Sequence, residues 1–139
     1  MIEHVTPGSI ELSANPDLTD SEWQKRSRDL QRAFAVEIRR VSRSYFVQTP
    51  HRMFPVEAHT GTPMANYLSH NSTIKLVRAL TKTWPRPIGN VDWNLFTAEQ
   101  MEDFFQDGKI EVEKLLGLPK SIIAWKTEST ESCLTTEMV

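Results

Sequence analysis

The chain has 139 residues, a formal net charge of −2 and a composition of 39% hydrophobic and 24% charged residues, which is typical of one soluble globular domain. Cys133 is the only cysteine, which excludes an intramolecular disulfide, and the first 20 residues hold four acidic residues without the apolar core of a secretory signal. No apolar run reaches the roughly 20 residues that a membrane helix needs. We therefore expect an intracellular, cytoplasmic protein without a membrane partner.

Residues 1–17 form the first segment of the chain. They contain Pro7, Gly8 and Pro16 around a short stretch, residues 9–13, in which apolar and polar residues alternate. Such a stretch predicts an edge strand or an extended arm.

A long helix is predicted over residues 19–45. Thr19 and Glu22 have the spacing of a capping box, in which the threonine oxygen and the glutamate each accept a hydrogen bond from a free backbone amide. Apolar residues recur on one side of the helical wheel and predict the buried stripe, which consists of Trp23, Leu30, Phe34, Ile38, Val41 and Tyr45.

The opposite side of this helix carries a row of cations, which we call the basic ridge: Lys25, Arg28, Arg32, Arg39 and Arg43. Like charges three or four residues apart destabilise a helix by roughly 0.2 to 0.5 kcal/mol per pair. Arg28, Arg39 and Arg43 have no carboxylate three or four residues away in either direction. We therefore expect these charges to be neutralised from elsewhere in the fold or by a partner. The alternative is a solvated face whose arginine stems cover apolar surface.

Residues 46–70 show no sustained period and contain three prolines and a glycine. A connection of this length is unusual in a compact domain, so we expect the segment to be functional, ordered by a partner, or built of short elements that the pattern does not reveal. Arg52 lies in this segment and adds to the predicted basic surface.

A second helix is predicted over about residues 72–83, because Leu76, Leu80 and Trp84 are spaced by four. Pro85 follows it as a stop signal. The polar face of this helix repeats the pattern of the basic ridge on a smaller scale, with Lys75, Arg78 and Lys82.

Two further helices are predicted in the C-terminal part. Thr97 and Gln100 repeat the capping-box spacing before an apolar face that includes Phe104. Another helix is predicted from about Ile110 to Leu116, followed by a short element around residues 121–125. The predicted fold class is therefore mainly α: a single helical domain over residues 1–126 with two or three short C-terminal helices and long irregular connections, then a polar acidic tail over residues 127–139.

The charge of the chain is distributed unevenly along its length. Residues 1–91 hold 12 Lys or Arg against 8 Asp or Glu, whereas residues 92–139 hold 4 against 10. A basic part and an acidic part on one chain favour head-to-tail contacts, so a homo-oligomer is one prediction. We also expect the acidic tail, with Glu128, Glu131 and Glu137, to fold back onto the basic ridge.

Residues 97–126 contain Leu115-Leu116-Gly117-Leu118, then Lys120 and Ser121, then Ile123 and Trp125. On these residues the segment resembles the helix-turn-helix of site-specific invertases and related regulators. The resemblance implies a DNA-binding regulator. The same segment carries six acidic residues between positions 99 and 113, which phosphates would repel.

No catalytic or metal-binding motif is recognisable. The four histidines, His4, His51, His59 and His70, have neither close metal-ligand spacing nor companion cysteines, so neither a metal nor a cofactor is predicted. Cys133 lies in the predicted tail, where nothing would hold a base against it. We expect a protein that is not an enzyme, with a small enzyme lacking a recognisable motif as one alternative.

The function predicted from the sequence is therefore that of a non-catalytic binding or assembly subunit, whose basic helix face docks on the acidic surface of a neighbouring protein subunit or on nucleic acid. Arginines interleaved with aromatic residues around positions 39–54 are what single-stranded nucleic acids favour. The predicted partner-binding residues are Lys25, Arg28, Arg32, Arg39, Arg43, Arg52, Lys75, Arg78 and Lys82.

Overall fold

A computed structural model describes residues 2–7, 19–80, 83 and 91–128. The helical elements are a 3₁₀ turn at Ile2–His4, helix α1 at Asp20–Val41, a second 3₁₀ turn at Ala65–Tyr67, helix α2 at His70–Leu80 and helix α3 at Ala98–Phe104. The strands are β1 at Tyr45–Pro50, β2 at Lys109–Leu115 and β3 at Leu118–Lys126.

The three strands form one antiparallel sheet in the order β1-β3-β2. This sheet makes the protein a mixed α/β fold, so the prediction of a mainly α fold is wrong. The error has two sources, because the start of the apparently irregular segment 46–70 belongs to β1 and the predicted C-terminal helix is a strand.

Strands β2 and β3 form a hairpin. In residues 109–113, Lys, Ile, Glu, Val and Glu alternate with the period of a strand that has one buried face. Leu116 and Gly117 have φ values of 52° and 81°, as in a type I′ turn, which joins two strands with only two residues. The run Leu115-Leu116-Gly117 therefore closes a hairpin and does not end a helix. Of residues 97–126, all of which the structure describes, only α3 is helical, so the helix-turn-helix prediction is wrong.

Helix α1 begins where the capping box predicts: Thr19 N donates to Glu22 Oε2 at 3.1 Å, and Glu22 N donates to Thr19 Oγ1 at 3.3 Å. It ends at Val41, and Tyr45 opens β1. The helix predicted over residues 72–83 is confirmed as α2 in the part that the structure describes. The helix predicted after Thr97 is confirmed as α3.

The buried face of α1 differs from the predicted stripe. Its buried residues are spaced by four: Trp23, Ser27, Gln31 and Ala35. At about 100° per residue this face is rotated by roughly 40° from the predicted one. Phe34 and Val41 are consequently 41% and 66% exposed, and the side of the basic ridge that carries Arg39 turns toward the rest of the protein. Ser27 and Ala35 on the buried face have small side chains, which allow α1 to pack closely against the elements that cover this face.

The hydrophobic core lies between the inner face of the sheet, α1 and α3. Its buried members are Ile2, Ala35, Tyr45, Phe96, Met101, Phe104, Phe105, Ile122 and Ala124. The outer face of the sheet remains accessible, with Phe46 beside Trp125 and Gln48 beside Ile123 across the β1–β3 pair. None of the described helices combines the length and apolar composition that crossing a bilayer requires.

Some predictions fall outside the described residues. These are the edge strand or arm at residues 9–13, the positions of Lys82, Trp84 and Pro85, and the tail beyond Glu128.

Candidate functional site

Three arginines of the basic ridge form ion pairs with acids from the C-terminal part of the chain. Arg32 pairs with Asp103, Arg39 Nε lies 2.6 Å from Asp107 Oδ1, and Arg43 Nη1 lies 3.3 Å from Glu128 Oε1. Neutralisation from elsewhere in the fold was one of the two outcomes expected for Arg39 and Arg43. All three acids belong to residues 92–139, so part of the charge asymmetry of the chain is satisfied inside one molecule.

The start of the acidic tail contacts the ridge as predicted. Glu128 pairs with Arg43, and its backbone N donates to Ser44 Oγ at 3.0 Å. The positions of Glu131 and Glu137 lie outside the described residues.

Lys25 and Arg28 differ from the other ridge cations, because neither forms an ion pair with any residue in the described ranges. Arg28 Nη2 donates only to the neutral Gln24 Oε1, at 3.5 Å. Both side chains line an open groove between α1 and α3, which we call the α1–α3 groove; its other lining residues include Arg32, Gln100, Asp103 and Phe104. Three predicted partner-binding residues therefore share one concave surface.

The remaining predicted residues are located elsewhere. Lys75 and Arg78 are exposed on α2. This helix packs on the start of α1, where the His70 ring stacks on Trp23 with centroids 3.7 Å apart. Arg52 lines a different pocket beside these two rings. Lys82 lies outside the described residues.

A second cluster, which the sequence did not predict, joins two histidines that are 55 residues apart. His4 Nε2 lies 2.9 Å from His59 Nε2. The other ring nitrogen of each histidine faces a carboxylate: His59 Nδ1 lies 2.6 Å from Glu57 Oε1, and His4 Nδ1 lies 3.3 Å from Asp92 Oδ1. Glu3 completes the set, which we call the histidine cluster, with Oε1 3.8 Å from His59 Nε2.

The N-terminal 3₁₀ turn places Glu3 and His4 in this cluster. Gln31 of α1 donates from Nε2 to the backbone oxygens of Ile2 at 3.4 Å and of Asn94 at 3.0 Å. Asn94 N in turn donates to the Glu3 backbone oxygen at 2.8 Å. The turn is thus fixed between α1 and the segment that precedes α3.

The loop after β1 places His59. Its centre is the buried Glu57 carboxylate, which accepts hydrogen bonds from His59 N at 2.9 Å and from Thr60 N and Oγ1 at 2.6 and 2.8 Å. Gly61, with a φ of 70°, donates its N–H to the Glu57 backbone oxygen at 2.8 Å. A left-handed conformation at this position suits glycine, and it closes the loop around the carboxylate.

The carboxylates around His59 determine its charge. Glu3 and Glu57 raise the pKa of His59 to about 9, against the opposing effect of burial. Burial acts to raise the pKa of Glu57, but hydrogen bonds from His59 and Thr60 lower it overall. In the absence of another cation, His59 is therefore protonated at neutral pH and donates to Glu57 from Nδ1 and to His4 from Nε2.

Glu3 is the least satisfied member of the cluster. Its side chain is fully buried, yet neither carboxylate oxygen has a hydrogen-bond partner among the described residues. Burial acts to raise the pKa of Glu3, but contacts with His59 and Thr49 lower it overall, so the group carries a charge at neutral pH. A buried carboxylate without a hydrogen bond is unusual and costly.

Comparison of the chain with protein-family models, curated proteins and solved structures gave no match. Functional inference therefore rests on the geometry of the α1–α3 groove and of the histidine cluster. The only sequence signal for the cluster is that His4 and His59, unlike His51 and His70, each lie within two residues of a glutamate.

Proposed function

We propose that the protein is a non-catalytic binding subunit that holds an acidic segment of a protein partner in the α1–α3 groove. The observation that carries this proposal is the pair of cations without a counter-ion among the described residues, Lys25 and Arg28, on one wall of the groove. Such charges gain most from a partner that supplies carboxylates. An intracellular, cytoplasmic location and a role in a larger assembly belong to the same proposal.

Two features of the groove favour a peptide over nucleic acid. Asp29 and Asp103 also line it, so anionic positions lie among the cationic ones. A nucleic-acid strand carries a phosphate about every 3.4 Å and would meet these acids repeatedly. An acidic peptide can place single carboxylates beside Lys25 and Arg28, as Asp103 does beside Arg32.

The floor of the groove supports the same choice of partner. Arg32 lies over the Phe104 ring, 5.1 Å from its centroid, so the guanidinium is held by both the ring and Asp103. An ordered arginine loses less side-chain entropy when a ligand binds beside it. The groove therefore offers two cations that form no ion pair within the described part of the chain, next to one that is already positioned.

A direct test uses a fluorescent ten-residue peptide whose glutamates are separated from one another by two serines, and a single-stranded DNA of ten phosphates, each titrated with the full chain at low ionic strength. We expect the peptide to bind more tightly than the DNA. The double variant Lys25→Glu, Arg28→Glu should weaken peptide binding by roughly tenfold or more, because two attractions become repulsions.

The matched control is Arg26→Glu, Lys114→Glu, which makes the same change of net charge at exposed positions that do not line the groove. Its peptide affinity should stay within about a factor of two or three of the wild-type value, because exposed charges that do not touch the peptide change the binding free energy only slightly. Equal losses of peptide affinity in the two double variants would mean that the net charge of the protein alone accounts for the effect. If the DNA binds more tightly than the peptide, the proposal of an acidic protein segment is wrong and the partner is nucleic acid.

A further inference from the structure

We propose that Glu3, His4 and His59 bind a divalent transition-metal cation, for which Zn²⁺ is the best match. This inference concerns the histidine cluster alone and is independent of the α1–α3 groove. It rests on the positions of three ligand atoms, the orientation of both imidazoles, and the buried carboxylate of Glu3, whose 3.8 Å contact with His59 is longer than a hydrogen bond.

The ligand atoms are already close to the spacing that a metal requires. The two Nε2 atoms are 2.9 Å apart, Glu3 Oε1 lies 3.8 Å from His59 Nε2, and all three ligand atoms lie within 4.8 Å of one another. A cation about 2.1 Å from each ligand holds the ligand atoms roughly 3.0 to 3.5 Å apart. A shift of the Glu3 side chain by about an ångström would close the set.

Both imidazoles are oriented as metal ligands usually are. A metal-binding histidine commonly donates its second N–H to a carboxylate, which fixes the ring and raises the basicity of the ligating nitrogen. Glu57 has this position at His59 Nδ1 and Asp92 has it at His4 Nδ1. The two Nε2 atoms are therefore left facing each other, with the ring planes 87° apart.

The third argument is the state of Glu3. Its carboxylate is fully buried, faces His59, and accepts no hydrogen bond from the described part of the chain. Three carboxylates, those of Glu3, Glu57 and Asp92, surround two imidazoles in the cluster. A divalent cation beside the two Nε2 atoms would give Glu3 a closer positive charge than His59 does and would offset the excess of negative charge.

The chemistry of the ligand set selects the kind of metal. Two imidazole nitrogens and one carboxylate oxygen suit Zn²⁺ and similar first-row cations, whereas Mg²⁺ and Ca²⁺ prefer oxygen ligands. The His4 and Asp92 side chains are partly exposed, so a cation has access from solvent on that side. Three protein ligands leave at least one position for water or another small ligand.

Binding would fasten two distant segments together. Glu3 and His4 come from the N-terminal 3₁₀ turn, and His59 comes from the loop after β1. A ligand that binds only the folded state stabilises it by mass action, so the metal would act as a cross-link between these segments.

The experiment titrates the chelator-treated full chain with Zn²⁺ by calorimetry and with Co²⁺ by visible absorption. We expect one equivalent to bind, a rise in the thermal unfolding temperature with Zn²⁺, and a Co²⁺ spectrum typical of nitrogen and oxygen ligands. His4→Gln and His59→Gln should each weaken binding by at least about 100-fold, because the loss of an outer carboxylate alone costs 10- to 100-fold. His4 is partly exposed, so its replacement leaves the fold intact.

His70→Gln is the matched control, since His70 is partly buried against Trp23 and lies outside the cluster; it should bind Zn²⁺ like the wild type. Glu3→Gln should abolish tight binding while preserving the size of the side chain. The proposal is overturned if the wild type shows no saturable binding of one equivalent. Unchanged affinity in both His59→Gln and Glu3→Gln overturns it as well, since the metal would then be held elsewhere.

Discussion

Gln31 and Asn94 form a reciprocal pair of hydrogen bonds. Gln31 Nε2 donates to the Asn94 backbone oxygen at 3.0 Å, and Asn94 Nδ2 donates to Gln31 Oε1 at 3.0 Å. The Gln31 side chain is fully buried and also reaches the backbone oxygen of Ile2. One carboxamide thus connects α1, the N-terminal 3₁₀ turn and the segment before α3, and thereby positions half of the histidine cluster.

Replacing Gln31 by alanine should destabilise the protein by about 2 to 4 kcal/mol, because it leaves buried carbonyl groups without donors and creates a cavity. Urea unfolding measures the change. Gln106→Ala is the control, since this glutamine is exposed, and its effect should stay within about 0.5 kcal/mol. A loss for Gln31→Ala no larger than for the control would show that the carboxamide does not hold the three segments together.

The close contact of Gly108 with β1 and β3 makes a second prediction. A Cβ at this position would collide with the Tyr45 hydroxyl and lie 2.9 Å from the backbone oxygen of Trp125. Gly108→Ala should therefore cost about 1 to 3 kcal/mol through overpacking. At Gly117, a Cβ meets nothing within 4 Å, and only the positive φ opposes substitution, so Gly117→Ala should cost about 1 kcal/mol.

Chemical denaturation of the two alanine variants checks that Gly108→Ala costs more stability than Gly117→Ala. A double variant tests whether the Tyr45 hydroxyl causes the cost at position 108. Tyr45→Phe removes the colliding hydroxyl, so the double variant with Gly108→Ala should be more stable than the sum of the two single effects predicts. Strict additivity would mean that the Trp125 backbone or the Tyr45 ring, and not the Tyr45 hydroxyl, accounts for the cost.

The helix boundaries were predictable where local chemistry determines them. The capping boxes at Thr19 and Thr97 satisfy backbone amides within one turn, so their spacing alone identified two helix starts. The rotation of α1 was not predictable from its own residues. Gln31 is buried because the 3₁₀ turn and Asn94 pack on it, and these partners lie 28 to 63 residues away in the sequence.

The hairpin was predictable in principle, since the alternation in residues 109–113 is the period of a strand. It was misread because leucines followed by glycine also end helices. The histidine cluster was not predictable, because its ligands are distant in sequence and no short motif joins them. The basic ridge was found, but the pairing of Arg39 with Asp107 was not, because Asp107 precedes a strand that was predicted as a helix.

Asp107 links acid stability to the basic ridge. Burial acts to raise its pKa, but hydrogen bonds from Lys126 and Tyr45 and the charge of Arg39 lower it from an ordinary value of 3.8 to about 2. A carboxylate with a depressed folded-state pKa contributes stability that is complete above its unfolded-state pKa and is lost as the pH falls through the folded-state value. Asp107→Asn should therefore be less stable than the wild type at pH 6, and the difference should shrink between about pH 4 and pH 2.

Urea unfolding over this pH range measures the difference, with Glu102→Gln, an exposed carboxylate on α3, as the control. A second readout is the ionisation of Tyr45, because burial and the hydrogen bond to Asp107 raise its pKa to about 12. In Asp107→Asn this pKa should fall toward 10, as ultraviolet absorption would show. A stability difference that does not depend on pH would assign the effect to packing and not to charge.

The tip of the β2–β3 hairpin contains a residue that its backbone does not favour. Leu116 is 95% exposed and has a φ of 52°, a left-handed conformation that costs an ordinary L-residue about 1 to 2 kcal/mol. Asn-Gly is the preferred sequence for this turn, so Leu116→Asn should raise the free energy of unfolding by about 1 kcal/mol while sacrificing little packing. Leu118→Asn is the control: this leucine is 47% exposed and belongs to strand β3, so the same substitution should not stabilise. If Leu116→Asn lowers the stability as well, the exposed tip contributes more to packing than its accessibility indicates, and the strain argument is wrong.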